Sequence, residues 1–276
     1  MTECKLSIIT VNLNDAAGFR KTATSVLTQT FRDFEYIIID GGSSDDSTDV
    51  IREISESLSY WISEPDKGTY NAMNKGIKVA KGEYCLFLNS GDFFVDNYVL
   101  EKIFSYKIIS DIISCDVLKI RPNNKYRRVS SPEGVSLHKL CIHSLPHQAT
   151  LIRRTLFEEI GYYTESYKIV SDWEFFLKAL VIFEKSYSHI DEDVSYFRIG
   201  GISSRKESIQ LARDESYDCL KRNFPKSADD LMEYRYFYNS SIGQIISLLK
   251  KRKKLYRFID NLFGMLLTAK KTIIGK

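Results

Sequence analysis

The sequence predicts an α/β protein built on a mostly parallel central sheet flanked by helices. Four short apolar runs, at residues 6–11, 34–39, 60–63 and 84–88, have the length of buried strands. Between them lie three stretches with helical spacing: Phe19, Ala23, Val26 and Leu27, then Val50, Ile51, Ile54 and Leu58, then Met73, Ile77 and Ala80. Strands and helices that alternate so closely require parallel pairing with right-handed crossovers.

Each element has its own punctuation. The first run breaks at Asn12, Leu13, Asn14 and Asp15, which offer helix caps. The second, EYIII, closes in Asp40, Gly41 and Gly42, and Lys67 with Gly68 opens the third helix. The fourth ends in Asn89, Ser90, Gly91 and Asp92, a polar turn with a carboxylate at its far end. Beyond Phe94 the alternation blurs. A helix is predicted around Val99, Leu100, Ile103 and Phe104, and strands at 112–120 and 125–129. A short helix at 155–160 stops at Gly161, and a longer one runs over 171–183 with Trp173, Phe176, Leu177 and Leu180 in register. A strand at 194–199 ends at Gly200 and Gly201, and from Lys206 onward the chain reads helical.

A length of 276 residues suits one large domain or a domain with an appendage. A composition of 43% hydrophobic and 27% charged residues excludes wholesale disorder. The net charge of +3 is unevenly placed: residues 250–276 hold nine Lys or Arg and one Asp, which leaves 30 basic against 35 acidic elsewhere. A near-neutral body with a basic tail argues against nucleic acid as a partner. Five scattered cysteines with no Cys-x-x-Cys pair argue against a disulfide framework or a zinc site. The chain enters a strand at once with no signal peptide, and no apolar run approaches the roughly 18 residues that span a bilayer.

Several site motifs are missing. There is no Gly-x-Gly-x-x-Gly after the first strand, no phosphate-binding Gly-x-x-x-x-Gly-Lys-Ser/Thr and no Gly-x-Ser-x-Gly elbow. Instead Thr10, Asn12, Asp40 and Asp92 fall at strand ends, so parallel strands bring them to one rim, where ligands of open α/β sheets bind. Asp40 emerges from three isoleucines and either accepts from a base or ribose or shapes the Gly-Gly turn. Asp45 and Asp46 suit a helix N-terminus without any ligand. Asp92 reads as a ligand for Mg²⁺ or Mn²⁺, which one or two carboxylates and substrate phosphates hold, or as the close of a tight turn.

SIITVNLN, IIIDGGSSDDST, SEPDKGTYNAMNKGI and KGEYCLFLNSGD, in that order, resemble glycosyltransferase family 2. HQATLIRRTLFEEIG and IVSDWEFFLKAL resemble that family's acceptor half, and together the pieces cover roughly residues 5–205. SEPDKG, NAMNKG and FLNSGD are similar to its bacterial exopolysaccharide and capsule branch. The resemblance implies a glycosyltransferase-A fold with a Rossmann-like sheet: a catalytic domain over 1–205, split into a nucleotide-binding half (1–95) and an acceptor half (96–205). A helical region over 206–276 follows. It implies an inverting transfer from a nucleoside diphosphate-sugar, a UDP-sugar favoured, to a glycan or polyprenyl-linked acceptor. It assigns Thr10, Asn12, Asp40, Lys67 and Asn74 to the nucleotide, Asn89, Ser90 and Gly91 to donor or acceptor, and Asp92 to the metal. The family usually has Asp-x-Asp or Asp-Asp where this chain keeps only Asp92.

Ser171 and Glu174 have the spacing of a capping box, which leaves Asp172 without a structural duty. The resemblance places the catalytic base at Asp172, with Glu174 as the alternative. His147 and Gln148 either contact acceptor sugar or donor phosphate or are buried structural groups. Arg198 and the Gly pair after it either close over a diphosphate or form a turn. The tail 250–276 interleaves apolar and basic residues and suits an anionic membrane surface, the alternatives being packing on the domain or a homodimer. These expectations place the protein in the cytoplasm, peripheral on the inner face of the membrane. A nucleotidyltransferase would carry a Gly-rich basic loop after the first strand, and residues 12–15 have no Lys, Arg or Gly. A non-catalytic sugar-nucleotide-binding protein is the third reading, and retention of both Asp92 and Asp172 argues against it.

Overall fold

The computed structural model describes residues 4–107, 109–120, 125–198, 207–252, 256, 257 and 261. Strand β1 (Leu6–Asn12) leads into α1 (Ala16–Leu27), then β2 (Phe34–Asp40), α2 (Ser47–Ile54), β3 (Tyr60–Ser63), α3 (Thr69–Val79) and β4 (Tyr84–Phe87). β1 lies between β2 and β4 and β2 carries β3, all parallel, as the alternation predicts. All seven residues of β1 are buried, which a strand covered on both faces requires.

The second half is mixed. It contains β5 (Phe93–Phe94), α4 (Val99–Ser105), β6 (Ile112–Ile120), β7 (Tyr126–Val129), α5 (Leu137–Ile142), β8 (Thr150–Arg153), α6 (Leu156–Glu159), α7 (Ser171–Leu177) and β9 (Tyr187–Arg198). The nine strands among the described residues form one sheet in the order β3-β2-β1-β4-β8-β6-β9-β5, with β7 on β6. β8 pairs antiparallel with both β4 and β6 and so joins the two halves. The four residues of β8 are too few for a period to declare itself, and sequence reading placed no strand there. β9 begins at Tyr187, seven residues before the predicted start, because its first turns are polar. The predicted 171–183 helix is α7 followed by a wider-wound segment, Lys178–Ile182.

Strand residues alternate between two cores. Ile8, Ile38 and Leu86 pack with Phe19 of α1, Val50 of α2 and Leu100 of α4. Ile9, Ile37, Ile39 and Phe87 pack with Met73 of α3 and Phe176 of α7. α8 (Ser208–Asn223) and α9 (Ala228–Asn239) contribute Cys219, Leu220, Leu231 and Met232 to this second core. α10 (Ser241–Lys251) follows, with Ile242, Ile245 and Leu248 exposed. Most of the basic tail and the segment 199–206 lie outside the described residues.

Candidate active site

Register builds a polar rim at the ends of the parallel strands. Asn12 pairs with Asp40 and Asp40 with Ser63 across β1, β2 and β3, so three polar side chains meet where the strands end. Asp40 Oδ1 accepts from Asn12 Nδ2 at 2.7 Å and Ser43 Oγ at 2.6 Å. Its Oδ2 accepts from Ser43 N at 2.9 Å and Ser63 Oγ at 2.6 Å. Burial pushes this carboxyl upward, but the Ser43 and Ser63 hydroxyls, the Ser43 N–H and the Asn12 amide outweigh it and hold it below the usual range.

Three of the residues expected at the nucleotide lie beneath this rim. Thr10 and Asp40 are 0% exposed, and Asn12 is buried. The Thr10 hydroxyl donates to Leu88 O at 2.7 Å, and Asn12 Oδ1 accepts from Ser90 Oγ at 2.7 Å. Asp40 already has four donors, the full complement of a carboxylate. These side chains are the floor of the rim and not its lining. Ser43 and Ser63 escaped sequence reading, although parallel alignment with Asp40 pointed to Ser63.

Lys67 is exposed beside this rim. The segment that carries it lies over the Asp40 turn: Glu64 N donates to Asp40 O at 3.0 Å, and a Cβ on Gly41 would meet Asp66 Oδ2 at 2.6 Å. Asn74 is engaged by the segment that follows α6. It is buried, donates to Tyr163 O (2.9 Å) and Glu165 Oε1 (3.0 Å), and accepts from Tyr163 N (3.0 Å). It latches residues 163–165 onto α3.

The turn after β4 is tightly held. Ser90 N donates to Val11 O, and Asp92 N to Asn89 O. Gly91 has φ +91°, a left-handed conformation that suits glycine. Thr22 of α1 accepts from Gly91 N at 3.0 Å and donates to Asp92 O at 2.6 Å, an anchor sequence reading missed. The Asp92 side chain is aimed inward and Asp92 is 6% exposed. Its Oδ1 accepts from Arg198 N at 3.1 Å. Burial raises its pKa to about 6, against the Arg198 N–H, the nearby His147 and the Gln148 side chain, which favour the charged form.

Asp172 arrives from the other side on the first turn of α7. His147 and Gln148 lie on a short 3-10 turn, His147–Ala149, that leads into β8. His147 Nδ1 is 3.0 Å from Asp172 Oδ2, with side chains 19% and 14% exposed. His147 Nε2 is 3.4 Å from Asn89 Nδ2. Burial disfavours a charged imidazole, but the Asp172 hydrogen bond and the Asp172 and Asp92 charges prevail and raise its pKa. His147 therefore spans the turn of β4 and the helix of Asp172. Tyr70, whose hydroxyl is 3.0 Å from Asp172 Oδ1, completes the group. It falls on the apolar face of Met73 and Ile77, three residues earlier, so helical spacing included it without marking it.

The capping box is also corrected. Ser171 makes no cap hydrogen bond, and its Oγ has no partner among the described residues. Glu174 is buried, facing Thr164, Asn223 of α8 and Lys178. Two residues along a helix face different ways, so Glu174 does not share the Asp172 site.

Among the described residues no group of three or more His, Cys, Asp or Glu is arranged to hold a metal. The turn offers the Asp92 carboxylate and Asn89 Oδ1, a buried oxygen without a hydrogen-bond partner among the described residues. Both are hard ligands, which fits a Mg²⁺ or Mn²⁺ completed by phosphate oxygens and water.

A sheet rim with a carboxylate turn on one flank and a helix-borne carboxylate on the other is the arrangement of a glycosyltransferase of the A-type fold. Residues 7–171 match Glycosyl transferase family 2, and the chain belongs to that family. It is similar to an uncharacterized glycosyltransferase of Mycobacterium tuberculosis, 34% identical over 65% of this chain and 70% of that protein. It is also similar to a PGL/p-HBAD biosynthesis glycosyltransferase of Mycobacterium bovis, 30% identical over 72% and 78%. Solved structures share the fold. S. aureus TarS with UDP-GlcNAc superposes with a TM-score of 0.66 at 19% identity, over 91% of this chain and 78% of that one. Mannosyltransferase PcManGT from Pyrobaculum calidifontis, with GDP-Man and Mn²⁺, has a TM-score of 0.64 at 14% identity, over 96% and 81%.

Proposed function

We propose that this glycosyltransferase inverts the anomeric centre as it moves a sugar from a nucleoside diphosphate-sugar to a glycan or polyprenyl-linked acceptor of a cell-surface polysaccharide. The observation that carries the reading is Asp172, ionisable and partly exposed, across His147 from the Asp92 turn. The donor nucleotide lies along the rim of β1, β2 and β4, bordered by Lys67, with its diphosphate toward Ser90, Gly91 and Asp92. The complexes of TarS with UDP-GlcNAc and PcManGT with GDP-Man support a nucleotide-sugar donor, and a UDP-sugar is favoured.

Asp172 takes the proton of the acceptor hydroxyl as that oxygen attacks the anomeric carbon opposite the diphosphate, a contribution of about 10²–10⁴-fold. Asp92 and Asn89 would hold Mg²⁺ or Mn²⁺, which when bound offsets charge on the departing diphosphate. His147 and Gln148 keep the two carboxylates apart and oriented. No helix among the described residues is long and apolar enough to cross a membrane. The exposed Ile242, Ile245 and Leu248, followed by the basic run from Lys250, support contact with an anionic membrane surface.

The test is transfer and donor hydrolysis across a panel of nucleotide sugars, with Asp172→Asn and Asp92→Ala. Each variant is expected to lose about 10²-fold or more. Unchanged turnover in both would overturn the reading.

A further inference from the structure

Asp172 is gripped by groups from separate elements. Tyr70, buried on the first turn of α3, has its hydroxyl 3.0 Å from Asp172 Oδ1 and 2.7 Å from Ile169 O. The Trp173 N–H donates to the same Oδ1 at 2.9 Å, and His147 faces Oδ2 at 3.0 Å. Oδ1 thus has two donors and Oδ2 one, so a lone pair of Oδ2 is the open position of the carboxylate. Tyr163 faces the pair from the segment latched by Asn74, its ring centroid 5.5 Å from that of Tyr70. Tyr70 itself is 6% exposed, so the ring is packed in place.

The Tyr70 hydroxyl has one proton and two acceptors. While Asp172 is charged, a charge-assisted bond to Oδ1 is the stronger choice. Once Asp172 is neutral, the proton can turn to Ile169 O without any movement of the ring. Burial, then the charge and hydrogen bond of Asp172, raise the phenol well above its ordinary value, so it donates and is not itself a base.

We propose that Tyr70 is a positioning residue for the base: its hydroxyl sets the plane of Asp172 so that Oδ2 meets the acceptor hydroxyl. This rests on the reading of Asp172 as the base. In the step it serves, the acceptor O–H bond breaks and its proton goes to Asp172 Oδ2. The freed electron pair forms the bond to the anomeric carbon, and the bond to the diphosphate breaks with its pair on the diphosphate. Tyr70 keeps its own proton.

Tyr70→Phe retains the ring and removes the donor. Its kcat is expected to fall about 10- to 100-fold, as misplacement of a reacting group by a fraction of an ångström does. Donor affinity by calorimetry and acceptor KM are expected to stay within about twofold, because the hydroxyl acts only in the step that moves the proton. The acid limb of the kcat profile is expected to shift to higher pH, since the charged carboxylate loses a donor. Adding Tyr70→Phe to Asp172→Asn is expected to cost nothing further. Rates are normalised to the nucleotide-binding fraction, so partial unfolding does not mimic the effect. If the Phe variant does not fold, 3-fluorotyrosine at position 70 keeps the packing and strengthens the donor, and the acid limb should move to lower pH. An unmoved limb, or an equal further loss in the double variant, overturns the proposal. Active Asp172→Asn would instead remove the base itself, whereas a silent Tyr70→Phe beside an inactive Asp172→Asn sinks only the role of Tyr70.

Discussion

At the scale of single residues, Asp92 shows what a buried carboxylate costs the fold. Its pKa is raised to about 6 from 3.8 because ionisation is unfavourable when the group is buried. A raised acid binds its proton more tightly in the folded chain, so the penalty is absent below the unfolded value and complete above about pH 6. The difference corresponds to roughly 3 kcal/mol at most. Asp92→Asn is therefore expected to raise Tm at pH 7.5, to lose that advantage near pH 4, and to abolish transfer. Thermal melts at both pH values check this, and an Asn variant less stable than the parent at pH 7.5 would refute it. The places of Asp92, at the close of the β4 turn, and of Asp172, on the first turn of α7, were legible in the sequence as element boundaries. Thr10, Asn12, Asp40, Asn74 and Glu174 are buried and hydrogen-bonded within the protein, which the sequence did not show. A sequence marks a polar residue at a strand end or helix turn but not the donors already directed at it, such as Ser43 and Ser63 on Asp40.

At the scale of elements, the site depends on how neighbouring segments are latched. Asn74 joins α3 to residues 163–165 with three hydrogen bonds, two of them to the backbone of Tyr163. Asn74→Ala leaves those backbone groups buried and unpaired, so a loss of about 2–3 kcal/mol is expected, measurable by urea denaturation. Its nucleotide affinity is expected to be unchanged; a clear fall would return Asn74 to the nucleotide site. The elements from β1 to β4 were legible because short apolar runs alternate with full helical faces. β8 was not, since its four residues owe their place to β4 on one side and β6 on the other. The start of β9 was missed because its polar residues pair with β6 rather than follow a period.

At the scale of the whole molecule, charge and shape divide the work. The body is near neutral and the last 27 residues carry nine of the 39 basic groups, directly after a helix with exposed Ile242, Ile245 and Leu248. Full-length protein is expected to sediment with vesicles containing anionic lipid and to release as salt shortens the Debye length below about 8 Å. Protein ending at Leu249 should stay in solution. Equal sedimentation of both forms would place the contact elsewhere, and a change in sedimentation coefficient alone would favour self-association. The sequence by itself determined the α/β class, the parallel first half, the carboxylate turn and the family, because apolar period and motif order are local properties. Only the tertiary structure decided that Asp172, His147, Tyr70 and the Asp92 turn form one group, and that Asn12, Ser43 and Ser63 converge on Asp40. Those facts depend on strand register and helix packing across as many as a hundred residues of chain, and no local pattern records them.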